Sequence, residues 1–249
     1  MTAIDWSLLA APFVAGLLVL ATHVPLGIEV LRRGIIFIDL AIAQVAALGV
    51  IAAGLAGLEK GWPVQLAAGA AALAGAVLLT GVEKRWPDIQ EALIGLLFVT
   101  AAAVGILLLA NNPYGGEHLK DLLAGQILWV SWPQVGVLAV LTAVLLVLQL
   151  TLGRRLGRIG FYGVFALAVT TSVQLVGVLL VFASLIAPAV ALRQTGRLRL
   201  LASWLLGALG YGGGLLLSAV LDLPAGAAIV CCLVSIAALS LLIPQSHKS

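Results

Sequence analysis

With 249 residues, 63% hydrophobic side chains, 9% charged ones and a mean hydropathy of +1.20, the chain has too little polar surface to solvate a water-soluble globule. It reads as a polytopic membrane protein. A net charge of +3 held in short loops, with no basic stripe interleaved by aromatics, sets topology and excludes a nucleic-acid partner.

The N-terminus, MTAIDW, has no positive region before its apolar run and carries Asp5, so the first segment is expected to stay as a span rather than leave as a signal peptide. Taking about 20 apolar residues per crossing, spans are predicted at 7–31, 35–58, 62–82, 89–110, 132–152, 161–182, 200–221 and 223–243. Breaks fall at Arg32-Arg33-Gly34, at Glu59 to Pro63, at Glu83 to Asp88 and at Asp222-Leu223-Pro224. Trp62, Trp86, Trp129 and Trp132 stand at span ends, where indole rings favour the bilayer interface.

Eight alternating crossings conflict with the arginines. Arg154, Arg155 and Arg158 precede the apolar run 161–192, and Arg193, Arg197 and Arg199 follow it. If both clusters stay cytoplasmic, the run must cross and return. The expected solution is a short returning half-helix over 183–192, broken at Pro188 and packed in protein. The N-terminus and 111–121 then face outside; Arg32, Arg33, Glu83–Arg85 and both arginine clusters face the cytoplasm. Glycine and alanine inside the spans allow close helix approach, and Cys231 and Cys232 read as buried apolar thiols. The whole chain, 1–249, reads as one transmembrane domain, an all-α helix bundle.

No phosphate loop, nucleophile elbow, HExxH or dinucleotide fingerprint is present, so any ATP must be hydrolysed by another chain. Polar residues inside the spans are the translocation-path candidates. Asp39 is a cation-path residue or a helix-start acid serving the N-terminal dipole. Gln44 is about 140° round the helix from it. Glu91 suits a first-turn acid, and His23 suits packing or an interhelix hydrogen bond better than ligation, though both stay candidates. Glu29 and Arg33 are spaced to pair. Glu117, His118 and Asp121 are an outer cluster of metal-ligand character, or else a solvated face; an acidic and imidazole vestibule would concentrate cations before entry. Asp39 and His118 are the metal-contacting choices.

Five segments in order carry a resemblance: VLRRGIIFIDLAIAQVAALG (30–49), EALIGL (91–96), DLLAGQILWVS (121–131), VQLVGVLLVFASLIAPAVAL (173–192) and DLPAGAAIV (222–230). With them the chain resembles the ABC-3 family of permeases, the membrane subunits of bacterial ATP-driven importers of zinc, manganese and iron. The family's second-helix pattern F-[IV]-G-D-A-L-S-H-A-x-L-P-G, laid from Phe37 to Gly49, puts Asp39 at its glycine, Leu40 at its Asp and Gln44 at its His. The usual Asp–His pair is absent, and one acid is kept a position earlier. A short Asp-x-x-Ala element of many members is replaced by Arg154–Gly160.

The resemblance implies a type II importer-like bundle of about eight transmembrane helices plus a half-helix in the bacterial inner membrane. It implies a second permease copy, an ATP-binding cassette ATPase and a periplasmic or lipid-anchored solute-binding protein as partners. A coupling helix within 192–201 would use Arg193, Arg197 and Arg199. The permease is not itself an enzyme and holds no covalent cofactor; a divalent metal ion, zinc first, is the cargo, moved by alternating access. Two other readings stay open: a permease for a chelated or organic cargo, and a stand-alone ion-coupled transporter using Asp39 and Glu91.

Overall fold

Proline sits where helices begin. Trp62-Pro63 and Trp132-Pro133 open two helices and Pro224 precedes a third, as expected of a residue that lacks the amide a first turn cannot use. In the computed structural model, which describes residues 6–58, 61–109, 125–151, 157–192 and 199–242, nine α-helices follow in order. They are α1 (Trp6–Arg33), α2 (Ile38–Leu55), α3 (Trp62–Arg85), α4 (Gln90–Leu109), α5 (Trp132–Thr151), α6 (Gly157–Val176), α7 (Val178–Ala191), α8 (Arg199–Leu221) and α9 (Ala225–Leu242). Two 3-10 turns, Pro87–Ile89 and Ile127–Trp129, complete the described residues, which contain no strand. Among the described residues eight helices are long and apolar enough to cross a bilayer, and α7 falls short. The protein is an all-α membrane bundle.

The chain divides into two compact units. One holds α1, α5 up to Thr142, α7, α8 and α9; the other holds α2, α3, α4, α5 from Ala143 and α6 up to Gln174. In the first, α7 packs on α1, α8 and α9, and α1 packs on α8. In the second, α2 is central, packed on α3 and α4. Glycine makes these approaches close. A Cβ at Gly27 would meet the Leu185 carbonyl, one at Gly214 the Ile229 backbone, and one at Gly49 would lie 2.5 Å from the Ala67 carbonyl oxygen.

The long apolar run breaks in a different place from the one expected. The predicted span 161–182 and half-helix 183–192 are replaced by α6 ending at Val176 and α7 running from Val178, with the break at Gly177. Gly177 takes φ 84°, a conformation only glycine adopts without strain, and Gly125, at φ 67°, lies flat against the Val176–Gly177 peptide. Pro188 lies inside α7 without ending it. In a buried helix a freed carbonyl is tolerated where the surroundings are protein. At 14 residues α7 is about 21 Å long, short of a hydrocarbon core of about 30 Å. Pro12 and Pro25 likewise lie inside α1, which runs unbroken through Arg32 and Arg33.

Other expectations hold in detail. Glu29 pairs with both Arg32 and Arg33 at 2.7 Å. Trp62, Trp86, Trp129 and Trp132 are all exposed at or beside helix ends. The cysteines are a correction: Cys231 is exposed on α9 and Cys232 half-buried, because their helix turns that side outward.

Candidate translocation-path residues

The second unit places Asp39 in the first turn of α2, wholly buried, with neither carboxylate oxygen bonded to any described residue. Its position on the helix explains the isolation. Ile42, Val45 and Gly49 face α3, and Leu48 and Ile51 face Gly105 of α4. One and two turns on, the Asp39 face carries Ile42, Ala43 and Ala46, all buried and apolar, none able to bond a carboxylate. The first turn of a helix favours negative charge through the backbone dipole, by about 0.3–1 kcal/mol. That does not offset the burial of an unpaired carboxylate, which costs several kcal/mol.

Glu91 approaches the same helix start. It lies in the first turn of α4, and its Oε1 accepts the Phe37 N–H at 3.1 Å, while its Oε2 is buried without a hydrogen-bond partner. Thus it caps α2 rather than its own helix. Beside it, Gln90 Nε2 donates to the Tyr162 hydroxyl of α6 at 2.6 Å, and Arg158 of α6 reaches Glu83 of α3 at 3.0 Å. These ties hold the start of α4 and the ends of α3 and α6. Gln44 is half-buried on the α4 side of α2, away from the Asp39 face, so the fold does not bring the two onto one surface.

In the first unit His23 is wholly buried midway along α1. It lies on the stripe of Gly16, Leu20 and Gly27 that meets α7 and α8. Its bonds stay within its own helix: Nδ1 is 2.9 Å from the Val19 carbonyl and 3.0 Å from Thr22 Oγ1. With Nδ1–H given to that carbonyl, Nε2 keeps a lone pair, buried and unpartnered. Of the two expected alternatives, packing or an interhelix bond, the described contacts show packing.

Arg199 opens α8 and turns back, its Nη2 donating to the Ala189 carbonyl of α7 at 3.0 Å. Glu117, His118, Asp121, Arg193 and Arg197 lie outside the described residues. Among the described residues no three His, Cys, Asp or Glu side chains converge into a group able to hold a metal ion. Sequence reading does not single out Gln90 and Tyr162, whose hydrogen bond joins residues 72 apart in the chain.

The profile of the ABC 3 transport family matches residues 5–162 and 151–244. No curated protein sequence matches the chain. Among solved structures, PsaBC from Streptococcus pneumoniae in complex with Fab superposes with a TM-score of 0.73 at 22% identity, over 98% of this chain and 92% of that one. At that identity the likeness is one of fold.

Proposed function

The chain belongs to the ABC 3 transport family, and on that premise we propose that it is the permease subunit of an ATP-driven importer of divalent metal ions, zinc first among them. The observation that carries this reading is Asp39: a carboxylate fully buried in an apolar span, both oxygens unbonded, beside the small side chains of Ala43 and Ala46. An unpaired carboxylate kept buried in a span is accounted for by a cation that passes it. In the same unit Glu91, which reaches the start of α2 from α4, is a further contact for the moving ion. Glu117, His118 and Asp121 gather cations at the outer entrance.

The permease does no covalent chemistry. It alternates access as two copies of the chain follow closure of two ATPase subunits, with the 192–201 segment and its arginines as the docking element, and a solute-binding protein delivers the ion from outside. The assembly lies in the bacterial inner membrane. A chelated or organic cargo is the second reading, favoured by Leu40 and Gln44 standing where the family pattern has Asp and His.

Asp39→Asn removes the charge at nearly constant volume. Radiometal uptake driven by ATP should fall by at least about tenfold at unchanged expression if the ion relies on that charge. Wild-type uptake by the variant would place the pathway elsewhere.

A further inference from the structure

α2 starts without a cap of its own. The residues that lead into it, Gly34-Ile35-Ile36-Phe37, include no Ser, Thr, Asp or Asn, and its N-cap, Phe37, makes no side-chain hydrogen bond to the helix. In a capping box the third helical residue, a Glu or Gln, reaches back to the N–H of the cap. In α2 that residue is Leu40, which has no acceptor to offer, and the Asp39 carboxylate one position earlier bonds to none of the described residues. The missing acceptor comes from another helix: Glu91 of α4, 54 residues on, takes the Phe37 N–H on its Oε1 at 3.1 Å.

Glu91 is presented from an anchored position. Its neighbour Gln90 donates through Nε2 to the buried Tyr162 hydroxyl of α6 at 2.6 Å, so the start of α4 is tied to α6 on one side and, through Glu91, to the start of α2 on the other. Asp39 stands two residues past Phe37, in the turn so held. No hydrogen bond aims its carboxylate. The backbone of that first turn, together with apolar packing that has no directional preference, sets where the carboxylate points.

We propose that Glu91 is a positioning residue for Asp39: its Oε1, in place of the capping-box side chain that α2 lacks, fixes the turn carrying Asp39 to the start of α4. The inference rests on Asp39 lying in the ion path. It gives Oε1 a task distinct from any contact Oε2 makes with the ion, and it makes the Asp39 turn answer to α4, because a separation of the two helix starts removes the cap.

Glu91→Gln and Glu91→Ala separate the two tasks, since Gln keeps an oxygen that can accept the Phe37 N–H but loses the charge, whereas Ala loses both. Amide hydrogen exchange over residues 37–41, measured on the permease in detergent with no cargo, should be at least about threefold faster in Glu91→Ala and close to wild type in Glu91→Gln. Radiometal uptake by the complete importer should divide in the same way. Glu91→Gln should weaken uptake at low metal concentration, and Glu91→Ala should also lower the maximal rate, by at least about fivefold. Glu91→Ser, too short to reach Phe37, replaces the alanine variant if that one fails to insert. Exchange in the short variant no faster than wild type, or a maximal rate that it leaves unchanged or that Glu91→Gln lowers as far, would overturn the proposal. Exchange is read without cargo, so a wild-type importer that takes up no metal marks a failure of the functional reading and leaves the cap itself tested.

Discussion

At the end of α7 the last carbonyls have no amide one turn further on, and two side chains of α8 take them. Arg199 Nη2 donates to Ala189 at 3.0 Å, and Ser203 Oγ to Pro188 at 3.1 Å. Arg199 therefore has a structural task that its position after an apolar run does not disclose. In the sequence it is one of three arginines suited to docking an ATPase; in the fold its guanidinium is turned back onto the helix before it. Arg199→Ala should destabilise the isolated permease by about 1–2 kcal/mol, the worth of a charge-assisted hydrogen bond. Thermal unfolding in detergent, with no ATPase present, reads this directly. An unchanged midpoint together with lost ATPase association would return Arg199 to the docking role. Asp39 was legible at this scale because an acid in FIDLAIAQ has no neighbour in the sequence to pair with. The capping of α2 by Glu91 was not, because that contact joins residues 54 apart in the chain.

Among the elements, glycine sets how near the helices come. Gly27 lets α1 reach the Leu185 carbonyl of α7, whereas Gly81 of α3 has nothing within 4 Å of its Cβ position. The two sites should respond oppositely to alanine. Gly27→Ala forces helices apart in a packed seam and should cost about 1–3 kcal/mol, while Gly81→Ala should be neutral or stabilise by up to about 1 kcal/mol through helix propensity. Paired thermal midpoints check the contrast, and equal effects would show that the α1–α7 seam yields. The helix limits were legible from charge, Trp and Pro at the breaks, to within a few residues. The break in the long run was not. Pro188 carries the stronger sequence signal, yet the chain turns at Gly177, where Gly125 packs on the peptide; that contact joins residues far apart in sequence.

For the molecule as a whole, composition sufficed for the class: an apolar chain of this length with so few charges has a membrane bundle as its outcome, and the eight spanning helices among the described residues are those the hydropathy pattern marks. Cargo is a harder matter, since it depends on a few polar atoms whose environment is set by tertiary packing. Leu40 and Gln44 replace the family's Asp and His, so the sequence offers Asp39 without a matching ligand, and the fold adds that Asp39 is buried and unpaired. The proposed function is coupling of ATP hydrolysis on a separate subunit to import of a divalent metal ion. Its most direct test is ATP hydrolysis by the complete complex in proteoliposomes, with the solute-binding protein supplied empty or loaded with zinc, manganese or iron. One loaded form, zinc first, should raise hydrolysis above the empty form, with the metal accumulating on the ATPase side of the bilayer. Hydrolysis indifferent to all three metals, with no accumulation, would contradict it.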